Sequence, residues 1–221
     1  NMKKTILGCA VTTALLTAGS ASAGGLWLNE YGDFSGGRAG AGAEAGTDDA
    51  ASIMHNPASS TRIKDNRLFA SAGALIPDIK FDVDYTTPRL GTGNGGDAGK
   101  SAPAGSAAYV HDFHSDRWSA GVYFLGLAGA GLDYDNDWAG RYQGTKVDLL
   151  LASIVPTLAY RVSDRLSLGI GVQYWYSKLN VHLNVPRLDQ TREDARASIN
   201  GDDSGFSFKL GSIYELTDRT R

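Results

Sequence analysis

Three copies of a short motif divide the second half of the chain. Residues 109–118 read Tyr-Val-His-Asp-Phe-His-Ser-Asp-Arg-Trp, residues 160–166 read Tyr-Arg-Val-Ser-Asp-Arg-Leu, and residues 214–220 read Tyr-Glu-Leu-Thr-Asp-Arg-Thr. Each copy predicts the end of a strand followed by a tight turn, because Ser, Thr and Asp favour turns. Long polar or Gly-rich stretches separate the copies, so short and long connections alternate. This alternation is typical of outer-membrane β-barrels, which have short turns at one end and long loops at the other.

The segments beside these turns have one apolar and one polar face. Between Leu166 and Tyr176, every second residue is Leu, Ile, Val or Tyr, and the residues between them are Ser, Gly, Gln and Trp. Residues 206–216 and 118–124 follow the same period of two, which predicts strands between apolar and wet surroundings. A soluble sandwich would give the same period. From Leu166 to Tyr174 such a strand rises about 19 Å, close to the ~25 Å apolar band of a barrel.

Aromatic residues at the ends of the apolar faces favour the barrel over the sandwich. Barrels carry such residues as girdles at the two membrane interfaces. The aromatic residues in question are Tyr109, Trp118, Tyr160 and Tyr214 beside the turns, and Phe124, Tyr174 and Tyr176 far from them.

The predicted fold class is therefore all-β, an antiparallel transmembrane β-barrel. Six strands are expected, at 67–77, 103–113, 117–126, 147–162, 165–183 and 204–217. Closed bacterial barrels begin at about eight strands, and unpaired strand edges are not viable in lipid. We therefore expect residues 67–221 to be the first part of a longer barrel. An oligomer of six-stranded pieces is the alternative.

The N-terminus predicts export. Lys3 and Lys4 precede the apolar segment 5–16, and Ser20-Ala21-Ser22-Ala23 supplies a small-residue cleavage site, so residues 1–23 are interpreted as a signal peptide cut after Ala23. The cysteine, Cys9, lies inside this segment. The mature chain is thus expected to have no disulfide and no thiolate site.

Residues 24–66 do not have the pattern of a barrel strand. They contain an apolar start and a Gly/Ala stretch at 36–46, and Thr47 is expected to cap a short helix ending near His55. Asn56 precedes Pro57, which disfavours helix at Asn56. Because so few residues cannot form a core of their own, we interpret 24–66 as a plug inside the barrel.

Several function classes find little support in the sequence. The formal net charge of −3 comes without a basic cluster, so nucleic-acid binding is not expected. No nucleophile motif is present, and the four histidines lack the spacing of metal ligands on a helix, so no enzyme, metal site or cofactor is expected.

The mature chain resembles the FadL family of outer-membrane transporters for long-chain fatty acids and hydrophobic compounds such as toluene and xylene. The resemblance rests on motifs in a shared order. They are the apolar start Gly24, Gly25, Leu26, Trp27 and Leu28, then 38–42, 48–52, Asn56-Pro57-Ala58, 135–142 and 156–172. The family's barrel has fourteen strands, so the six expected here would be part of one.

The resemblance implies uptake of hydrophobic small molecules through a monomeric barrel surrounded by outer-membrane lipid and lipopolysaccharide. Cargo would be captured by outer loops, released when the plug moves, and passed sideways through a gap at a kinked third strand. Gly126, Gly129 and Gly131 are the candidates for the gap, and the alternative is that they begin a flexible loop.

Four residues are candidate ligand contacts: Leu127, Leu132, Trp138 and Arg141. Leu127, Leu132 and Trp138 are predicted in a long outer connection, where they would form an apolar groove or simply order the loop. Arg141 would pair with a fatty carboxylate, or brace its loop against Asp135 or Asp137. Residues 56–58 would anchor the plug or act as its hinge. A passive porin or an adhesin-like barrel remains the alternative function.

Overall fold

The structure is a computed structural model that describes residues 32–87, 90, 92–187, 193–217 and 220, and leaves aside the side chains of residues 127, 128 and 130. The predicted signal peptide, its cleavage after Ala23 and the apolar segment 24–28 lie outside these residues. Within the described part of the chain, no helix has the length and apolar character needed to cross a membrane.

One antiparallel sheet forms most of the molecule. Its strands are β1 (Arg67–Leu75), β2 (Gly99–Lys100), β3 (Ala102–Asp112), β4 (Trp118–Asp133), β5 (Lys146–Arg161), β6 (Leu166–Val185) and β7 (Ala195–Tyr214). The order across the sheet is β1-β3-β4-β5-β6-β7, and the two-residue β2 pairs with β4. All six expected strands are present, and consecutive long strands are neighbours, as in a barrel meander.

The short and long connections alternate as the repeated motif predicts. At the first copy, Ser115 Oγ accepts hydrogen bonds from the backbone N–H groups of Arg117 (3.3 Å) and Trp118 (3.2 Å). At the second copy, Ser163 Oγ accepts from Arg165 (3.4 Å) and Leu166 (3.2 Å). The serine of the motif therefore closes both turns by replacing backbone acceptors. Part of the third copy lies outside the described residues.

The two faces of the sheet differ as the period of two requires. The face turned away from the segment before β1 is termed the convex face, and the face that this segment covers is termed the concave face. On the convex face, apolar side chains remain exposed along the strands, for example Ile154 (47%), Ile170 (43%) and Phe206 (71%). On the concave face, the side chains of Val110, Tyr123 and Val155 are buried against the segment that precedes β1. In a soluble protein such an apolar convex surface would be a liability, whereas in a membrane it meets lipid.

The segment before β1 packs on the concave face through short helices. Helix α1 (Ser52–His55) ends where expected but begins later than predicted, because Thr47 and Asp49 form local turns instead of capping it. Asn56 is extended (φ −140°, ψ 114°), as a residue before proline must be, and a 3-10 helix follows at Pro57–Arg62. Ile53, Met54 and Ala58 of this segment are fully buried.

Two strand boundaries differ clearly from the sequence prediction, and one short strand was not predicted. β4 was expected to end at residue 126 but continues to Asp133, because its glycine-rich half pairs with the apolar half of β5. β7 begins at Ala195 rather than 204, paired throughout with β6. The short β2 was not predicted. In these regions both faces are wet or lack side chains, so the alternation that marks a strand disappears.

Candidate functional site

Asn56 connects the segment before β1, the predicted plug and so termed the plug below, to the strands of the sheet, which are termed the wall. Its Oδ1 accepts a hydrogen bond from the N–H of Ala58 (3.0 Å), which caps the following 3-10 helix. Its Nδ2 donates to the carbonyl oxygen of Glu44 within the plug (2.9 Å) and to that of Ser212 in β7 (3.1 Å). The side chain is 7% exposed, so these bonds are made away from solvent. One amide thereby joins two plug segments to one strand.

Two glycines of the wall receive this part of the plug. Gly169 of β6 and Gly211 of β7 are direct partners in the ladder. A Cβ at Gly211 would lie 2.8 Å from Pro57 Cδ, and one at Gly169 would lie 2.5 Å from the carbonyl carbon of Pro57. Such distances exclude any side chain, so the wall is flat where Pro57 rests on it.

Two cationic side chains of the strands donate hydrogen bonds to carbonyl oxygens of the plug. Arg161 of β5 donates to the carbonyl oxygen of Thr61, and Lys209 of β7 donates to that of Met54. Lys209 Nζ also lies 5.6 Å from the centre of the Tyr123 ring, within the range of a cation–π contact. Both Arg161 and Lys209 thus hold carbonyl oxygens of the plug against the sheet.

A second polar cluster orders the plug internally. Asp33 accepts hydrogen bonds from Ser35 Oγ (2.7 Å) and His55 Nε2 (2.8 Å). Burial opposes ionisation of Asp33, but the hydrogen bonds from Ser35 and His55 outweigh it and lower the pKa of Asp33. His55 uses the same nitrogen towards Ser35 Oγ (3.4 Å) and Asp33, so the three residues lack the relay geometry of a catalytic triad.

The hydrogen-bonded wall is interrupted between β3 and β4. Pairing of the two strands stops at Ser106 and Leu125, and further along β4 pairs with the two residues of β2. Among the described residues, no ladder pair joins segment 101–105 to segment 126–130. The wall therefore lacks a row of backbone hydrogen bonds at this place.

Local sequence accounts for the interruption. Pro103 has no N–H and cannot donate to either neighbouring strand. On the other side of the break, a β-bulge between Gly126 and Ala128 shifts the register of β4 with β5. Bulges bend a strand and leave one residue unpaired. Gly126 and Gly129 thus belong to an irregular strand, which does not match the alternative that these glycines begin a flexible loop.

A cavity of about 490 Å³ occupies the break. Its lining includes Phe124 and Leu150 from the convex face, each 49% exposed, and Leu125 from the concave face, 3% exposed. Because the lining residues belong to both faces, the cavity lies at the break itself, between the two faces of the sheet. Small residues make up much of the remaining wall, namely Ala102, Pro103, Ala104, Gly105, Gly126, Gly129, Gly131 and Ala152.

Trp138 lies in the outer connection, as predicted, but it is packed inside that loop. Its ring stacks on Tyr134 (3.9 Å between centres, 8° between planes) and meets the edge of Phe81 (5.2 Å). Its Nε1 donates to the carbonyl oxygen of Gly144 (3.1 Å), and the residue is only 7% exposed. Of the two roles left open by the sequence, this arrangement matches the ordering of the loop.

Arg141 braces a different loop from the one expected. It forms an ion pair with Asp194 (2.9 Å), in the connection between β6 and β7, rather than with Asp135 or Asp137. It also donates to the carbonyl oxygen of Leu90 and to Tyr142 Oη. Long-range pairing of this kind leaves no signal in the local sequence.

The remaining candidates are distributed along β4. Leu132 pairs with Val147 in the ladder with β5, so its predicted place in the outer connection was wrong. Leu127 lies in the same strand at the bulge, and its side chain is outside the described part of the chain. Lys178, which lines the wall cavity, was not singled out from the sequence; its position just beyond the apolar face of β6 was the available signal.

Comparison with known proteins places the chain among outer-membrane transport proteins. A sequence model of the family described as "Outer membrane protein transport protein (OMPP1/FadL/TodX)" matches residues 14–221. The chain is 30% identical over 232 residues to a long-chain fatty acid transport protein of Escherichia coli O6:H1, covering 94% of this chain and 50% of that protein. It is 29% identical over 198 residues to outer membrane protein P1 of Haemophilus influenzae, covering 83% and 43%.

Two solved structures share the fold. A Pseudomonas aeruginosa FadL homologue superposes with a TM-score of 0.69 at 21% identity, covering 89% of this chain and 51% of that one. The toluene transporter TodX of Pseudomonas putida gives 0.56 at 19% identity, covering 76% and 48%. The chain thus spans about half the length of the relatives and structures that it matches.

Proposed function

The chain belongs to this family of outer-membrane transport proteins, and from that premise we propose that it forms part of a plugged channel for the uptake of hydrophobic compounds. The family consists of transporters rather than enzymes and resides in the outer membrane of Gram-negative bacteria. The names of the matched proteins indicate two cargo classes, long-chain fatty acids and toluene. Cargo of either class would need an apolar path through such a barrel.

The observation that carries the proposal is the cavity through the break between β3 and β4. An apolar cargo gains nothing from a water-filled exit, whereas a cavity lined by Phe124, Leu125 and Leu150 offers it an apolar path from the concave face to lipid. A cavity of about 490 Å³ falls within the size range of small-molecule sites, ~300–1,000 Å³. We therefore assign the proposed lateral exit to this break.

Release would require the plug to move, because the plug covers the concave face. Its attachment to the wall combines apolar contacts of Ile53 and Met54 with the flat seat of Pro57 and with polar contacts around Asn56, Arg161 and Lys209. Individual hydrogen bonds contribute only about 0.5–1.5 kcal/mol net, so binding of a cargo can offset several of them. The hydrogen bonds from Arg161 and Lys209 to plug carbonyl oxygens therefore stabilise the resting position of the plug but can be broken.

A reversible cross-link tests whether transport needs this movement. Thr61 Oγ1 of the plug and Ser167 Oγ of β6 are 2.9 Å apart, so the Thr61→Cys/Ser167→Cys pair is well placed to form a disulfide. The two cysteines are introduced into the full natural chain, which is expressed in cells that lack their own uptake system. In these cells we expect oxidation to stop entry of radiolabelled oleate or toluene and reduction to restore it.

The two single-cysteine variants are the controls and should transport under both conditions. Unchanged uptake by the fully cross-linked protein would contradict plug movement. The second candidate function, a passive porin, predicts instead steady ion conductance in planar bilayers and no cargo uptake by the natural protein.

A further inference from the structure

The wall cavity has charged side chains at its outer end. Those among its described lining residues are Lys100, Asp148 and Lys178. Lys100 Nζ is paired with Asp133 (2.8 Å), and Asp148 is paired with Lys146 (3.4 Å). Within each pair, the positive charge of the lysine is balanced by the negative charge of the aspartate.

Lys178 differs from the other charged groups of the cavity. Asp202 stands opposite Lys178 in the ladder of β6 and β7, yet no ion pair joins the two. Within the described part of the chain, no ion pair engages the Lys178 ammonium. Of the described charged residues that line the cavity, Lys178 is therefore the one without an ion-pair partner.

The position of Lys178 along its strand fixes its depth. It is the first charged residue on the convex face of β6 after the apolar run that begins at Leu168 and ends at Tyr176. Twelve residues beyond Leu166, it stands about 28 Å above the short-turn end at ~3.3 Å rise and ~45° tilt. This is just past the ~25 Å apolar band, so the ammonium reaches water and headgroups while the cavity below it stays in the apolar zone.

We propose that Lys178 binds the anionic head of a carboxylate-bearing cargo while the cargo's hydrocarbon tail passes through the break between β3 and β4. The inference rests on the proposed function and adds a specificity-determining residue to it. The cavity supplies an apolar lining for a chain and the Lys178 ammonium at its end, which matches an amphiphile with a single negative charge. A neutral hydrocarbon would use the same cavity without using Lys178.

The test compares two probes that share one tail. Oleate and methyl oleate differ in the charge of the head, and both are measured for binding to the natural protein in nanodiscs of zwitterionic lipid and for uptake by cells. We expect Lys178→Gln to weaken oleate binding and uptake about two- to five-fold, the scale of an exposed ion pair. Methyl oleate should be unaffected, and Lys178→Arg should keep most of the preference for oleate.

Lys80→Gln is the matched control, because Lys80 is an exposed lysine outside the cavity, paired with Asp78 at 2.9 Å. Equal losses for both probes, or oleate binding that Lys178→Gln leaves unchanged, would overturn the inference. Loss of co-purified lipopolysaccharide without loss of oleate binding would also overturn it, since Lys178 would then serve lipid phosphate. If oleate binds in a Lys178-dependent way but never enters cells, the inference stands and the transport proposal fails.

Discussion

At the residue scale, the docking of the plug depends on small groups placed opposite one another across the fold. Gly169 and Gly211 leave the wall flat where Pro57 contacts it, and the amide of Asn56 supplies three hydrogen bonds beside that contact. The Asn-Pro-Ala sequence therefore works together with two strand glycines more than one hundred residues away.

Asn56→Ala should loosen the plug. The substitution leaves the carbonyl of Ser212 and the N–H of Ala58 without their partner in a buried place, which costs about 1–3 kcal/mol. We expect faster cleavage of the plug by trypsin at low protease concentration and a lower denaturant midpoint. Asn200→Ala, at an exposed residue of β7 bonded to Ser198, is the control and should change stability by less than about 0.5 kcal/mol. Equal protease sensitivity in both variants would remove Asn56 from this role.

At the element scale, the strands show how far the sequence alone can lead. The repeated turn motif and the period of two located six strands because apolar and polar faces meet different surroundings along the membrane-spanning part. The same reasoning failed for residues 195–203 of β7 and for the end of β4, where both faces are wet or glycine-rich. It also missed the ion pair of Arg141 with Asp194, because local patterning holds no information on which loops meet.

The break between β3 and β4 illustrates the same limit. The glycines at 126, 129 and 131 line the cavity, but the cavity depends also on Pro103 in another strand and on the bulge opposite β5. A glycine-rich strand becomes an opening only when its neighbour cannot pair with it. That combination is visible only in the folded sheet.

Gly129→Val should obstruct this opening. A Cβ at Gly129 would meet no closer described atom than Ala102 Cβ at 3.9 Å, so a valine fits the fold but projects into the cavity. We expect cargo uptake to fall about tenfold, the scale on which methyl-sized changes act in apolar sites, while the amount of folded protein stays constant.

Gly201→Val is the matched control, because Gly201 also lies in a strand and a Cβ added there would meet no described atom within 4 Å. It should transport normally. If both variants transport at the rate of the natural protein, the cavity is not the exit.

At the scale of the whole molecule, membrane insertion explains why the sheet can keep its apolar side chains on the outside. Exposed Ile154, Ile170 and Phe206 lie on the convex face, while the plug fills the concave face and buries Ile53 and Met54. In a water-soluble antiparallel sheet, the face that is not covered by the core would carry polar side chains. On β5, β6 and β7, the convex face carries Asp148, Lys178 and Asp202 beyond the apolar residues, which marks one edge of a band for lipid contact.

This orientation predicts that the cost of a charge depends on its height in the sheet. Ile154 lies within the apolar run of β5, beside Phe124 and Tyr174 on the neighbouring strands. Ile154→Arg should lower the free energy of unfolding in lipid vesicles by about 2–4 kcal/mol, as charges near the bilayer midplane do. Ser204→Arg, opposite Tyr176 near the outer rim, should cost only about 0–1 kcal/mol. Denaturant titration in vesicles measures both, and equal costs would mean that the convex face does not meet the hydrocarbon core where the apolar runs place it.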